Sequence, residues 1–186
     1  MKVKLGVSNR HVHLCEEDYK ILFGDAKIEK LRDLVQTGEF ATTGLVEIET
    51  EKAKIGKVRF LAPLRPYTQV EISKTDCYTL GLDAPVRTSG DLEGAVSITI
   101  IGPKGKITKN CAIMANRHLH INHEDRVRLG LESIDEIEIK VGNEKSAILK
   151  NVKIKEIQKG VLEVHLDTDD ANANLLKTGD EVELIF

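Results

Sequence analysis

Two short runs hold the residue types that can bind a metal. Residues 8–13 read S-N-R-H-V-H and residues 115–120 read A-N-R-H-L-H. In an extended strand, residues i and i+2 point to the same side. His11 with His13, and His118 with His120, therefore each present two imidazoles side by side, which is a chelating pair. A lone H-x-H in a short chain reads better as two polar side chains near a strand end. The flanks repeat too, however: Asn9, Arg10, Glu17, Asp18 and Gly24 correspond to Asn116, Arg117, Glu124, Asp125 and Gly130. Such a duplication points to two metal sites, or to one dinuclear site where two barrels meet.

Two imidazoles do not complete a site, because catalytic zinc takes three protein ligands and keeps one position open. His165, in V-L-E-V-H-L-D-T, is the third-donor candidate for one pair. His123 falls in the first turn of an expected helix and should face solvent. For the other pair, carboxylates and Cys15 remain open. The run P-V-R-T-S-G-D at 85–91 sets Arg87 among small residues. Backbone amides can approach an anion there, and a guanidinium can fork onto phosphate oxygens. A solvated turn arginine is the alternative. Cys77 and Cys111 lack partner spacing or a nearby base and read as buried structural thiols.

The elements that must position these residues are mostly short strands. Residues 2–9, 46–50, 57–61, 68–73, 96–102, 135–142, 147–157, 161–168 and 181–186 alternate or are rich in Val and Ile. Helical patterns are few: 16–23, 123–129 and 169–177. Asn122 is a good N-cap, with Asp125 three residues on, and Cys15 is a poorer cap at the matching place. The stretch from Gly38 to Ser97 reads as the least regular, and function is expected to concentrate in its loops. Many strands with few helices fit barrels or sandwiches, and the repeated unit fits two related barrels.

Composition narrows the function classes. A chain of 186 residues with a net charge of -3, no basic run, 4% aromatics and no Trp offers no nucleic-acid surface. No apolar stretch is long enough to cross a bilayer, and the N-terminus lacks a signal-peptide pattern. Three cysteines, an odd number without C-x-x-C, fit a reducing cytoplasm better than a disulfide framework.

The ordered motifs S-N-R-H-V-H-L, G-E-F-A, L-R-P-Y-T-Q-V-E-I-S, L-G-L-D-A-P-V-R-T-S-G-D-L-E-G, A-N-R-H-L-H-I and V-H-L-D-T-D-D-A-N-A span nearly the whole chain. In these it resembles the PduL-type phosphotransacylases, the phosphate propanoyltransferases. The resemblance implies a mainly β protein: two tandem antiparallel β-barrels capped by short helices, with two zinc ions between them. One barrel would comprise residues 1–9 plus 116–186 and the other residues 10–115. It implies His11, His13 and Glu93 as ligands of one zinc and His118, His120 and His165 as ligands of the other. Arg87 matches the family's phosphate-binding arginine. Ser8, Asn9 and Arg10 fall where the family is expected to touch coenzyme A, and Lys74 and Asn172 match further coenzyme positions.

Two departures from the family pattern are Cys15, where Ser is usual, and Asp170, where Glu is usual. The implied reaction turns acyl-CoA (propanoyl or acetyl) and phosphate into acyl phosphate and coenzyme A, reversibly, by zinc-assisted direct displacement. The expected partners are acyl-CoA and phosphate, with no nucleic acid and no membrane. The oligomeric state stays open, a homodimer among the alternatives. Some relatives carry an N-terminal extension that directs them into bacterial microcompartments; none is seen here, and a cytoplasmic location is expected. A zinc-dependent thioester hydrolase and a non-catalytic zinc-stabilised module are the rival readings.

Overall fold

The computed structural model describes residues 1–142 and 144–186. In chain order its elements are β1 (Lys2–Ser8), β2 (His11–His13), α1 (Glu16–Phe23), β3 (Lys30–Asp33), β4 (Phe40–Glu49), β5 (Lys54–Ala62), β6 (Gln69–Glu71), α2 (Lys74–Leu80) and β7 (Val86–Arg87). There follow β8 (Val96–Ile101), β9 (Lys106–Ala115), β10 (His118–Ile121), α3 (His123–Arg128), β11 (Glu136–Val141), β12 (Ala147–Glu156), β13 (Glu163–Asp167), α4 (Thr168–Ala173) and β14 (Glu181–Ile185). The chain divides into a discontinuous unit, Met1–Asn9 with Asn116–Phe186, and a contiguous unit, Arg10–Ala115. No described helix is long and apolar enough to cross a membrane.

The discontinuous unit is a closed barrel in the order β1-β13-β10-β12-β11-β14. Its core holds Leu5, Leu119, Ile121, Leu131, Ile139 and Val164, each fully buried. In the contiguous unit an eight-stranded sheet contains a second six-strand circuit. It runs β2-β6-β9-β8-β4-β5 and returns to β2, with β3 and β7 attached outside it. Val12, Leu14, Leu22, Ile48, Val58 and Leu80 are among its fully buried core side chains.

Both barrels with their short helices are of the expected class, but strand pairing in each is mixed, not wholly antiparallel. The parallel pairs are β1 with β13 and β10 with β12 in one barrel, and β2 with β5 and β6 with β9 in the other. Parallel partners need a long connection, and each of these pairs joins strands separated by further elements. The stretch 38–97 is also more regular than expected. It contains β4 and β5, two of the longer strands, and helix α2.

The helix caps follow the sequence. Asn122 Oδ1 accepts from the Asp125 amide at 2.8 Å, whereas Cys15 makes no side-chain cap bond. Cys77 and Cys111 are buried free thiols, and burial pushes the Cys111 thiol up to about 12. His123 is exposed and meets Glu156 at 3.0 Å.

Candidate metal centres

Each H-x-H strand has one antiparallel neighbour, and its register decides what faces the imidazoles. In the discontinuous unit His118 stands opposite His165, and His120 opposite Glu163. In the contiguous unit His11 stands opposite Glu71, and His13 opposite Gln69. Directly opposite residues share a face of the sheet and bring their Cβ atoms within about 4.5–5.5 Å. One local geometry thus builds two groups, His118/His120/His165 and His11/His13/Glu71. In each, the donor atoms lie within 4.8 Å of one another. Val12 and Leu119, between the paired histidines, belong to the apolar cores. The imidazoles therefore lie on the other face of each strand, and all four are buried.

The donor chemistry fits a cation. His13 turns Nε2 toward Glu71 Oε1 at 3.9 Å, and its buried Nδ1 has no hydrogen-bond partner. Leaving such an atom unanswered costs about 1–3 kcal/mol. Burial above all, then the charges of His11 and Arg65, drive the His13 pKa well below the usual histidine value, with Glu71 opposing. The ring is neutral at neutral pH, the form that binds metal. In the other group, His118 Nδ1 lies 2.9 Å from the Asn116 carbonyl. A carbonyl only accepts, so the proton sits on Nδ1 and Nε2 keeps its lone pair. That atom faces His120 Nε2 at 3.1 Å. His165 Nε2 lies 2.7 Å from Glu163 Oε2, which leaves Nδ1 to offer a lone pair. A ring nitrogen held by a carbonyl or carboxylate so that the other can bind metal is the usual outer-shell arrangement. Three nitrogens in one group, and two nitrogens with a carboxylate oxygen in the other, both suit zinc.

Glu71 stands where the resemblance implies Glu93. Glu93 is exposed, on the connection between β7 and β8, and its carbonyl accepts from Arg87 Nε at 2.8 Å. Glu71 has a place on a buried strand directly opposite His11, with Oε2 at 3.4 Å from His11 Nε2. The signal was present in T-Q-V-E-I-S: alternation puts Gln69 and Glu71 on one face and apolar Val70 and Ile72 on the other. His165 lies in the group expected for it.

Arg87 donates to the carbonyls of Glu93 and Val86 at 2.8 and 2.9 Å and pairs with Asp91 at 3.7 Å, so its guanidinium is engaged by its own loop. A second arginine went unnoticed in the sequence. The Arg65 amide donates to the carbonyl of Leu14, next to His13, at 2.9 Å. Its guanidinium reaches Glu39 Oε1 at 2.9 Å, Tyr67 Oη at 3.1 Å and Ser89 Oγ at 3.2 Å.

The coenzyme candidates fall on or beside two short helices, α4 and α2. In the discontinuous unit Ser8 is the register partner of Asp167, which caps α4, the helix that carries exposed Asn172. Asn9 is exposed just beyond β1. In the contiguous unit Arg10 is held on Asp76 of α2 by Nε at 2.9 Å and Nη2 at 2.7 Å. Lys74 opens the same helix and pairs with Asp83 at 3.0 Å.

The family model described as phosphate propanoyltransferase matches residues 4–177. A phosphate propanoyltransferase of Thermotoga maritima is 43% identical over 184 residues, covering 97% of this chain and 88% of that protein. One of Rhodobacter capsulatus is 42% identical over 173 residues, covering 92% and 80%. One of Limosilactobacillus reuteri is 42% identical over the same length, covering 92% and 81%.

Proposed function

Because the chain belongs to the phosphate propanoyltransferase family, an enzyme family of acyltransferases, we propose that it moves a propanoyl or acetyl group reversibly between coenzyme A and inorganic phosphate. A phosphate oxygen attacks the thioester carbonyl carbon, the carbon–sulfur bond breaks, and the thiolate of coenzyme A leaves. Phosphate is already anionic at neutral pH, so this nucleophile needs positioning more than it needs a general base. Direct displacement follows, without an acyl-enzyme.

Two zinc ions are assigned, one to His11, His13 and Glu71 and one to His118, His120 and His165. Bound there, zinc would supply Lewis-acid polarisation of the carbonyl and a partner for developing thiolate charge. The residues hold their lone pairs ready: His118 through Asn116, His165 through Glu163, and His13 through burial. Ser8, Asn9, Lys74 and Asn172 are retained as coenzyme contacts. Arg10, held on Asp76, is assigned instead to orienting the H-x-H strand.

The observation that carries the reading is a three-donor group with an arginine in its field. Arg65 acts on the buried His13 and is tied through its backbone to Leu14. This supports Arg65 ahead of Arg87 as the group that orients phosphate, since a guanidinium offers parallel N–H donors to a dianion. The test is steady-state kinetics with and without phosphate. Wild-type turnover of propanoyl-CoA should require phosphate; turnover without it would favour the hydrolase. Arg65→Lys should raise the KM for phosphate, and Arg65→Ala should cost roughly two to three orders of magnitude in turnover, as when an oxyanion donor is removed. Arg87→Ala should stay close to wild type, and the reverse ranking would return the role to Arg87.

A further inference from the structure

The duplication runs deeper than N-R-H-x-H. Two residues before each third donor stands a buried polar side chain that bonds to it. Gln69, 0% exposed, donates from Nε2 to Glu71 Oε1 at 2.6 Å. Glu163, 4% exposed, accepts at Oε2 from His165 Nε2 at 2.7 Å. The two hold the same register, Gln69 opposite His13 and Glu163 opposite His120. What differs is the place of the carboxylate. In the contiguous unit it belongs to the donor, Glu71, and the supporter is a neutral amide. In the discontinuous unit the donor is a neutral imidazole and the supporter carries the carboxylate.

Resting on the metal assignment above, we propose that Gln69 and Glu163 are equivalent positioning residues, each orienting the third donor of its own centre. Donor and supporter together then bring one carboxylate to each centre by two routes. Glu163 accepts from His165 Nε2 and so holds the ring in the tautomer with Nδ1 bare. Its space is kept by Gly6, the register partner of His165: a Cβ there would lie 2.9 Å from His165 Nε2. Gln69 adds no charge and works by geometry. Nε2 also donates to Ser89 Oγ at 2.9 Å, and Oε1 accepts from the Gly90 amide at 2.8 Å. Gln69 thereby ties the Glu71 carboxylate to the loop whose Ser89 also meets Arg65. A glutamate at 69 could not replace it, since its carboxylate would meet that of Glu71, acceptor against acceptor, where the amide now donates at 2.6 Å.

The test is cobalt(II) titration of metal-free protein against a competing chelator, read by visible absorption. Two backgrounds each keep one centre: His11→Ala/His13→Ala keeps that of the discontinuous unit, and His118→Ala/His120→Ala keeps the other. Loss of an outer-shell partner typically weakens metal binding about 10–100-fold. In the first background Glu163→Gln, which still accepts from His165 but has no charge, should weaken cobalt binding about 10-fold. Glu163→Ala should approach 100-fold, and Gln69→Ala should change nothing. In the second background Gln69→Ala should weaken binding about 10–100-fold and Glu163→Ala should change nothing. Circular dichroism should show each metal-free variant folded at the titration temperature, with an unfolding midpoint below its parent's where a buried polar partner is left unanswered. Partial rescue by glutamine at 163, confined to one centre, is a pattern that a packing role would not give. Parental affinity in Glu163→Ala and Gln69→Ala would overturn the positioning role alone. Parents that bind no cobalt would overturn the metal assignment, and this proposal with it.

Discussion

Glu71 and Glu93 are the same residue type 22 positions apart in the chain, and only backbone context separates them. The first is 7% exposed on a strand facing His11; the second is exposed on a loop. Glu71→Ala should therefore remove one of two bound metal equivalents, while Glu93→Ala should leave both, as read by metal analysis after dialysis. The histidine pairs were legible because histidine is rare here and the runs repeat. Glu71 was not singled out, because the alternation in T-Q-V-E-I-S shows which face it takes but not that the strand opposite carries His11. Asp18 shows how context also sets charge. Burial, the largest influence, pushes its carboxyl up. Hydrogen bonds from Lys109, Thr68 and Cys15 outweigh burial and hold it below the usual value. A depressed folded pKa stabilises the protein above the unfolded value, about 3.9, and that stability is lost as pH falls through the folded pKa. Asp18→Asn should accordingly be less stable than wild type at pH 7. The gap should narrow below about pH 4 in urea unfolding; a gap independent of pH would mean that Asp18 acts by shape alone.

Elements explain why the arginine of N-R-H recurs. Arg10 holds Asp76, and Arg117 grips Asp170 with Nε and Nη2 both at 2.7 Å. Each aspartate lies in the first turn of the helix that follows the third-donor strand, where its amide bonds to the cap, Ser73 or Asp167. The arginine thus clamps the entry of the H-x-H strand to the exit of its partner strand. The two clamps differ in burial: the Asp76 side chain is 3% exposed and that of Asp170 is 23%. Removing one partner of a buried pair costs about 3–5 kcal/mol, and the part-exposed Arg10 should bring this to about 2–3. Arg117→Ala should cost nearer 1 kcal/mol, as for a more solvated pair. Equal costs in denaturant unfolding would deny that burial sets the ranking.

Helix α2 was hidden in the sequence because Lys-Thr-Asp-Cys-Tyr-Thr-Leu holds few strong helix formers. A reciprocal capping box between Ser73 and Asp76 starts it, and Gly81, in the left-handed region at φ 68°, ends it. Strands β4 and β5 were only partly legible for another reason. Bulges between Ala41 and Leu45, and between Val46 and Ile48, break the two-residue alternation that marks a strand.

At the scale of the whole molecule, the two circuits are the same circuit. Start from the H-x-H strand and pass to the third-donor strand; the next neighbour in each barrel is parallel. It is β1 in one and β9 in the other. Each of these strands also leads directly into an N-R-H run, but the run lies in the other unit, since the chain passes between units after Asn9 and after Ala115. Every barrel therefore takes one strand from the segment that precedes the other barrel's histidines. A repeat seen only as local motifs does not reveal that exchange, because register and pairing are properties of the closed sheet. The exchange has an asymmetric consequence. Residues 10–115 contain a full circuit, whereas residues 116–186 lack β1, which pairs with both β13 and β14. Without β1 those two strands are left with open edges, and the core loses Val3 and Leu5, each worth about 1.5–3 kcal/mol of burial. The fragment 10–115 should fold alone, melt cooperatively and bind one metal equivalent through His11, His13 and Glu71. The fragment 116–186 should not fold alone, and adding a peptide of residues 1–9 should restore cooperative melting and one equivalent of metal. Cooperative melting of 116–186 without the peptide would show that β1 is dispensable and that the barrel closes by another route.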